Sequence, residues 1–231
     1  MITPLGAKRG ILSPLGRSVR RAAAGGWWLA GGIAEANCVA AYQPIGAADY
    51  ATSKVNLANP GTYNAGDGAA HPTWDASDGW TFNSSTYLKP GITPTSAQVY
   101  AIRISSWTDT WWSGLFGTYN SAGNATYIGA FPVNGILNCY NYGLASNSCG
   151  AKPESGTIII NMDEAYVNGV LVGNLRALGT QAATDYYIGG FHRVDYSIYR
   201  RGHFKCQAFG QWNEQLTSDQ VAALHTAMAA L

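Results

Sequence analysis

The stretch Gly156-Thr-Ile-Ile-Ile-Asn-Met-Asp-Glu-Ala-Tyr166-Val-Asn168-Gly169-Val-Leu-Val172 says more about architecture than any other part of this chain. Its first half is a β-branched apolar run of strand length, opened by a glycine. Asp163-Glu164 marks a turn. Ala165–Val172 follows with Asn168-Gly169 at its centre, and Asn-Gly between apolar runs is a strong hairpin signal because a type I′ turn needs two residues at positive φ. Successive antiparallel strands are expected here.

Short strands separated by turn clusters continue on both sides. Upstream, Asn37–Tyr42, Trp80–Leu88, Gln98–Trp107, Gly114–Tyr119 and Thr126–Phe131 read as strands, with a Gly/Asn/Pro-rich loop over Asn59–Trp74 and a turn in Asn120–Asn124. Within Gln98–Trp107, Val99, Ala101 and Ile104 are apolar, and Arg103 is expected to hold its head in solvent. Downstream, Tyr186–Gly190, Tyr196–Tyr199 and Gly202–Trp212 read as strands. Only Thr217–Leu231 has a helical pattern: Thr217 or Ser218 caps it, Asp219 suits its first turn, and Val221, Leu224, Met228 and Leu231 share one face. The expected fold is all-β, a two-sheet antiparallel sandwich closed by a short C-terminal helix.

Composition agrees. Only 12% of the 231 residues are charged while glycine numbers 28 and aromatics reach 12%. That balance suits many strands joined by tight turns and excludes disorder, which needs few aromatics and high net charge. The formal charge of +1 conceals an asymmetry. Residues 1–26 hold Lys8, Arg9, Arg17, Arg20 and Arg21 with no acid, leaving nine basic against thirteen acidic groups in 27–231. An extended basic arm therefore precedes a mildly acidic body. Ser18-Val19-Arg20-Arg21 and the apolar run after it imitate a twin-arginine export signal, but that run holds four glycines and two tryptophans, so it reads as the body's beginning. No stretch approaches the roughly 20 apolar residues that span a bilayer. Cys38, Cys139, Cys149 and Cys206 allow three disulfide pairings or four buried thiols, and their spacing is not that of a zinc site.

The run from Gly156, followed by Tyr187-Ile-Gly189-Gly190 and by Gly202-His-Phe-Lys-Cys-Gln-Ala-Phe-Gly-Gln-Trp-Asn213-Glu-Gln-Leu216-Thr-Ser-Asp219, resembles the concanavalin A-like, laminin-G-type jelly rolls. That family shows a strand, a YVNGxL hairpin, an IGG strand and an N-x-x-L-T/S lead into a closing helix. Gly79-Trp-Thr-Phe82-Asn-Ser-Ser-Thr-Tyr87-Leu88 is similar to an upstream family motif. The likeness covers about residues 37–231. The Pro4-Leu5-Gly6 and Pro14-Leu15-Gly16 start, with Gly25-Gly26-Trp27-Trp28, resembles such domains in tailed-bacteriophage structural proteins. That second likeness implies a non-enzymatic virion component (decoration, fibre or tail) assembled in the host cytoplasm as a homo-oligomer. The arm would then dock onto other virion proteins through its five cations and through Leu5, Ile11, Leu12 and Leu15.

The chemistry-bearing residues point away from an enzyme. Sandwich glycosidases need an acid and a base or nucleophile on one face, as carboxylates two or four residues apart on a strand supply. Asp163-Glu164 are adjacent, Asp75 and Asp78 sit in a turn, and nucleophile-elbow, phosphate-loop and zinc-protease motifs are missing. No cofactor is expected; calcium at Asp109, Asn120, Asn124 and Asp185 is the one metal reading, weakened by the lack of a dense acidic loop. Trp107, Trp111 and Trp112, with Tyr119, Tyr140 and Tyr142 nearby, read as core, as an oligomer interface or as a platform for surface glycans. The last of these gives the alternative function, a carbohydrate-binding, lectin-like module. Nucleic acid is disfavoured as a partner, since the arm's cations are sparse and lack base-stacking aromatics.

Overall fold

A computed structural model describes residues 25–94, 98–120, 126–143, 147–175, 184–193, 196–199 and 201–231. The expected arm lies outside them except for Gly25 and Gly26, and so does Asn124. Strands are numbered along the chain. One sheet of eight runs β13 (Val170–Asn174), β12 (Glu164–Val167), β11 (Gly156–Asn161), β6 (Val99–Ser105), β17 (Phe204–Trp212), β4 (Gly79–Phe82) and β3 (Thr73–Asp75), with β1 (Cys38–Tyr42) also on β17. The other, of nine, runs β10 (Asn147–Ala151), β9 (Ile136–Gly143), β8 (Thr126–Val133), β7 (Phe116–Asn120), β14 (Tyr187–Ile188), β5 (Leu88–Lys89) and β2 (Gly66–Asp67). Its remaining members are β15 (Phe191–Arg193), which is parallel to β7, and β16 (Tyr196–Tyr199), antiparallel to β15. The fold is a sandwich of two largely antiparallel sheets.

The Ile158–Ile160 run is the second-strand partner of two neighbours. Ile158 faces Ile102 on β6 and Val167 on β12, so the eight-stranded sheet is built outward from these residues. The turn beyond has Asn168 at φ 52° and Gly169 at φ 76°, the type I′ conformation that Asn-Gly predicts. Asn168 also accepts a 2.9 Å hydrogen bond from the Thr157 amide through its side-chain oxygen.

Between the sheets lies a core containing Trp80, Tyr100, Ile102, Ile104, Phe116, Ile158, Ile160, Ile188 and Phe209. A polar chain threads it. The Tyr186 hydroxyl donates to Gln211, whose amide donates to Gln98, which also accepts from Tyr100, each at 2.7 Å. Every buried group in that chain has a partner, as burial requires.

A second core backs the eight-stranded sheet. Val99, Ala101, Ile159 and Ala208 are covered there by Val221, Leu224 and Met228 of the closing helix and by Trp27. A one-turn helix, α1 (Tyr50–Ser53), comes earlier in the chain, and the closing helix is α2 (Ser218–Ala229). Thr217 and Gln220 form a reciprocal capping box at the start of α2. Trp27 meets Trp212 edge-on at 6.2 Å, and the Trp212 indole donates to the Trp28 carbonyl at 3.1 Å.

Some expectations are corrected. Trp80–Leu88 is two strands in different sheets, because Asn83 accepts from the Ser85 amide and hydroxyl and turns the chain. The stretch between Cys139 and Cys149 spans β9 and β10, a pair rich in Asn, Tyr and Gly that carries little apolar alternation. All four cysteines are buried and none is in a disulfide; Cys139 and Cys149 are hydrogen-bonded to each other. Arg103 is only partly in solvent; it lies half-buried beneath the end of α2, where it donates to the Met228 carbonyl.

Candidate functional site

With α2 sealing one outer face, the aromatic residues gather on the other. Ala130 and Cys139 point into the sandwich, so by strand alternation Phe131 and Tyr140 point out of the nine-stranded sheet. There Phe131 stacks on Tyr140 at 5.1 Å and meets Phe191 edge-on at 5.5 Å. Trp112 stacks on Phe131 at 4.9 Å with planes 20° apart.

The segment Ser106–Trp112 delivers this end of the stack. It crosses from β6 towards β7 and is laid along the β8–β9 turn. Gly135 donates to the Thr110 carbonyl at 3.0 Å, and Trp112 donates to the Pro132 carbonyl at 2.7 Å. Trp111 bridges Val133. Asp109 is fixed by the His203 backbone amide and by its imidazole Nδ1 at 2.8 Å. The three tryptophans are thereby separated. Trp107 drops into the core at 1% exposure and cannot offer a face to a ligand. Its indole N–H, also buried, has no partner among the described residues. Trp112 is half-buried in the stack. Trp111 stands 57% exposed, edge-on to Trp112 at 6.1 Å.

The same segment, up to Thr110 just before Trp111, borders a cleft of about 310 Å³, lined by Ser106, Trp107, Thr108, Thr110, Lys152 and Glu154. The Lys152 ammonium sits 4.8 Å from the Trp107 ring centroid and donates to the Trp107 carbonyl. Desolvation lowers the Lys152 pKa, against the upward pull of Glu154 and Asp109. The cleft thus combines hydroxyls, a cation and a carboxylate on a short, well-anchored segment.

Of the remaining residues expected here, Tyr140 is buried at 4% and supports the stack from below. Tyr119 is half-buried, with the Arg193 guanidinium 5.3 Å from its ring centroid. The Tyr142 side chain lies outside the described set. Sequence reading missed Phe131 and Phe191, which looked like ordinary strand residues, and also missed Lys152 and Glu154. A further stack was missed: Tyr87 on Tyr187 at 4.8 Å and Tyr187 on His192 at 4.1 Å. His192 Nδ1 lies 2.7 Å from Asp185. Burial pushes the Tyr187 hydroxyl up to about 12. Desolvation raises the Asp185 carboxyl, but the His192 hydrogen bond and charge prevail and its pKa is lowered.

Of the four residues named for calcium, the Asn120 and Asn124 side chains lie outside the described residues. Asp109 is taken by His203 and Asp185 by His192. Among the described residues no three His, Cys, Asp or Glu side chains converge. Asp163 and Glu164 flank the β11–β12 turn, where Gln215 donates to Asp163 and the Tyr166 hydroxyl to Glu164.

No family model matches the chain. No curated protein matches it either. Solved structures do share the fold. A Trypanosoma rangeli sialidase in complex with sialic acid has a TM-score of 0.62 at 12% identity, over 84% of this chain and 33% of that one. The chain therefore spans about a third of the length of the sialidases it resembles. Domain 4 of AbnA, an extracellular arabinanase from Geobacillus stearothermophilus, in complex with arabinotriose, has a TM-score of 0.56 at 15% identity. There the match covers 82% of this chain and 98% of that chain. The expectation of a bacteriophage virion component is overturned by this finding, because the fold is shared with sialidases and an arabinanase domain. The sequence start that suggested a particle protein lies almost wholly outside the described residues.

Proposed function

We propose that this domain is a non-catalytic carbohydrate-binding module that holds an oligosaccharide at the Trp111 end of the sandwich. The observation that carries the reading is Trp111 itself, a large aromatic face 57% exposed and braced by Trp112. Exposing such a ring costs hydrophobic stabilisation, and a braced one offers area to a sugar's apolar face with little ordering cost. The adjoining hydroxyls, Lys152 and Glu154 supply the few directed polar groups that orient a ligand. The likeness to domain 4 of AbnA adds support, because it extends over nearly all of a domain that is seen with arabinotriose.

Binding without catalysis fits the carboxylates described above. Asp109, Asp163, Glu164 and Asp185 are each held by a separate donor, and Glu154 is the single carboxylate in the lining of the cleft. Hydrolysis would need two of them to face one bond across an open cleft. The test is a glycan array followed by titration calorimetry on the purified protein, with released reducing ends assayed in parallel. Saturable binding of an oligosaccharide that Trp111→Ala weakens, without product, supports the reading. Absence of any glycan binding, or turnover, overturns it.

A further inference from the structure

On the opposite layer of the molecule a second cleft, of about 320 Å³, opens between the end of α2 and the eight-stranded sheet. Its lining includes Arg103, Ser105, Ser155, Thr157, Gln207 and His225. These come from β6, the approach to β11, β11 itself, β17 and α2, so five parts of the fold converge on it. No Asp or Glu lines it.

Arg103 is the reason to read this cleft as a site. It continues the outward row Val99, Ala101, Arg103 of β6, whose first two members are sealed beneath α2. Burial lowers its pKa, which means that its charge is poorly solvated where it sits. Against that cost the guanidinium makes one hydrogen bond among the described residues, to the Met228 carbonyl in the last turn of the helix. Capping a helix end is a favourable use of an arginine, yet it employs one of five donors. Lys54 and Lys205 pair with Asp67 and Asp78, whereas the Arg103 guanidinium meets no carboxylate among the described residues.

His225 supplies an independent observation. Its Nδ1 is buried and has no hydrogen-bond partner among the described residues. The ring is held over the Asn168-Gly169 turn so tightly that a Cβ on Gly169 would lie 2.9 Å from its Cδ2. A guanidinium with spare donors, the His225 imidazole and a ring of hydroxyls and amides thus line one small space. We propose that this cleft binds an oxyanion, carried on a sugar-sized polyol or as free phosphate. The guanidinium fork matches either oxyanion in a bidentate geometry. The volume, at the lower end of ligand pockets, suits a single unit. This proposal does not rest on the glycan reading at Trp111, since the two sites share no residue.

The test is titration calorimetry of the full chain with glucuronate, with inorganic phosphate and with glucose as the neutral control. Binding of either anion but not of glucose is expected, weakened about tenfold or more by Arg103→Gln. Tighter binding of glucuronate identifies an acidic sugar as the source, and tighter binding of phosphate identifies a phosphate. His225→Ala is expected to weaken the same anion while keeping the Met228 contact of Arg103, so the proposal stays testable if Arg103→Gln fails to fold. Trp111→Ala should leave anion binding unchanged. Absence of anion binding, or affinity unchanged in both the Arg103 and His225 variants, overturns the proposal.

Discussion

Replacing Trp111 by alanine separates ligand binding from folding. A tryptophan side chain offers about 250 Å², so at 57% exposure roughly 140 Å² of Trp111 meets solvent. A sugar ring that covers half of this removes about 70 Å² from water, worth about 1.8 kcal/mol at about 25 cal/mol per Å². Trp111→Ala should therefore weaken oligosaccharide binding about twentyfold. Its effect on stability should stay within about 1 kcal/mol, because the exposed part of the ring leaves no cavity. Trp107→Ala gives the contrast: a side chain 1% exposed in the core should cost about 3–5 kcal/mol of stability. Calorimetric titration with the best array ligand and urea denaturation of both variants measure the pair. Wild-type affinity in Trp111→Ala, or a stability loss equal to that of Trp107→Ala, would show that the exposed ring is structural.

Further outcomes follow from the fold. Gly169→Ala should destabilise by about 1–2 kcal/mol in urea, since its φ of 76° disfavours a side chain and the added Cβ would press on His225. Thr217→Ala removes one half of the capping box on α2 and should cost about 1 kcal/mol. Cys38 and Cys206 should react slowly with a thiol reagent in the native protein and fast after unfolding, because burial pushes Cys38 up to about 12 and Cys206 also upward. The folded pKa of Asp67 is depressed; burial opposes this, and hydrogen bonds from Tyr50 and Lys54 outweigh it. That contribution is present above the unfolded value of 3.8 and lost as pH falls through the folded one. Lys54→Met should accordingly flatten the acid limb of the stability profile.

The legible parts of this molecule were those where local chemistry and tertiary fold agree. Asn168-Gly169 dictates its own turn, and Thr217 with Gln220 dictates its own cap. By contrast β9 reads as Ile-Leu-Asn-Cys-Tyr-Asn-Tyr-Gly, where Asn138 and Asn141 are buried and their amide nitrogens donate to carbonyls from elsewhere in the fold or strand. Pairing with β8 and β10 makes it a strand, and no periodicity announces that. The site was half visible for a similar reason. Composition located the Trp107–Trp112 cluster, but which indole turns inward depends on the path that the β8–β9 turn imposes. Arg103 was misplaced because its covering helix comes more than a hundred residues later.

Gly31 approaches α2 so closely that a Cβ there would lie 2.9 Å from the Cβ of Ala223. The beginning of the body and its final helix are therefore neighbours on one side. Attaching a fusion partner or a solid support after Leu231 would anchor the domain by its α2 side and leave the exposed Trp111 ring accessible. The same attachment would crowd the Arg103 cleft. Anchoring thus gives a practical way to interrogate one of the two clefts while hindering the other.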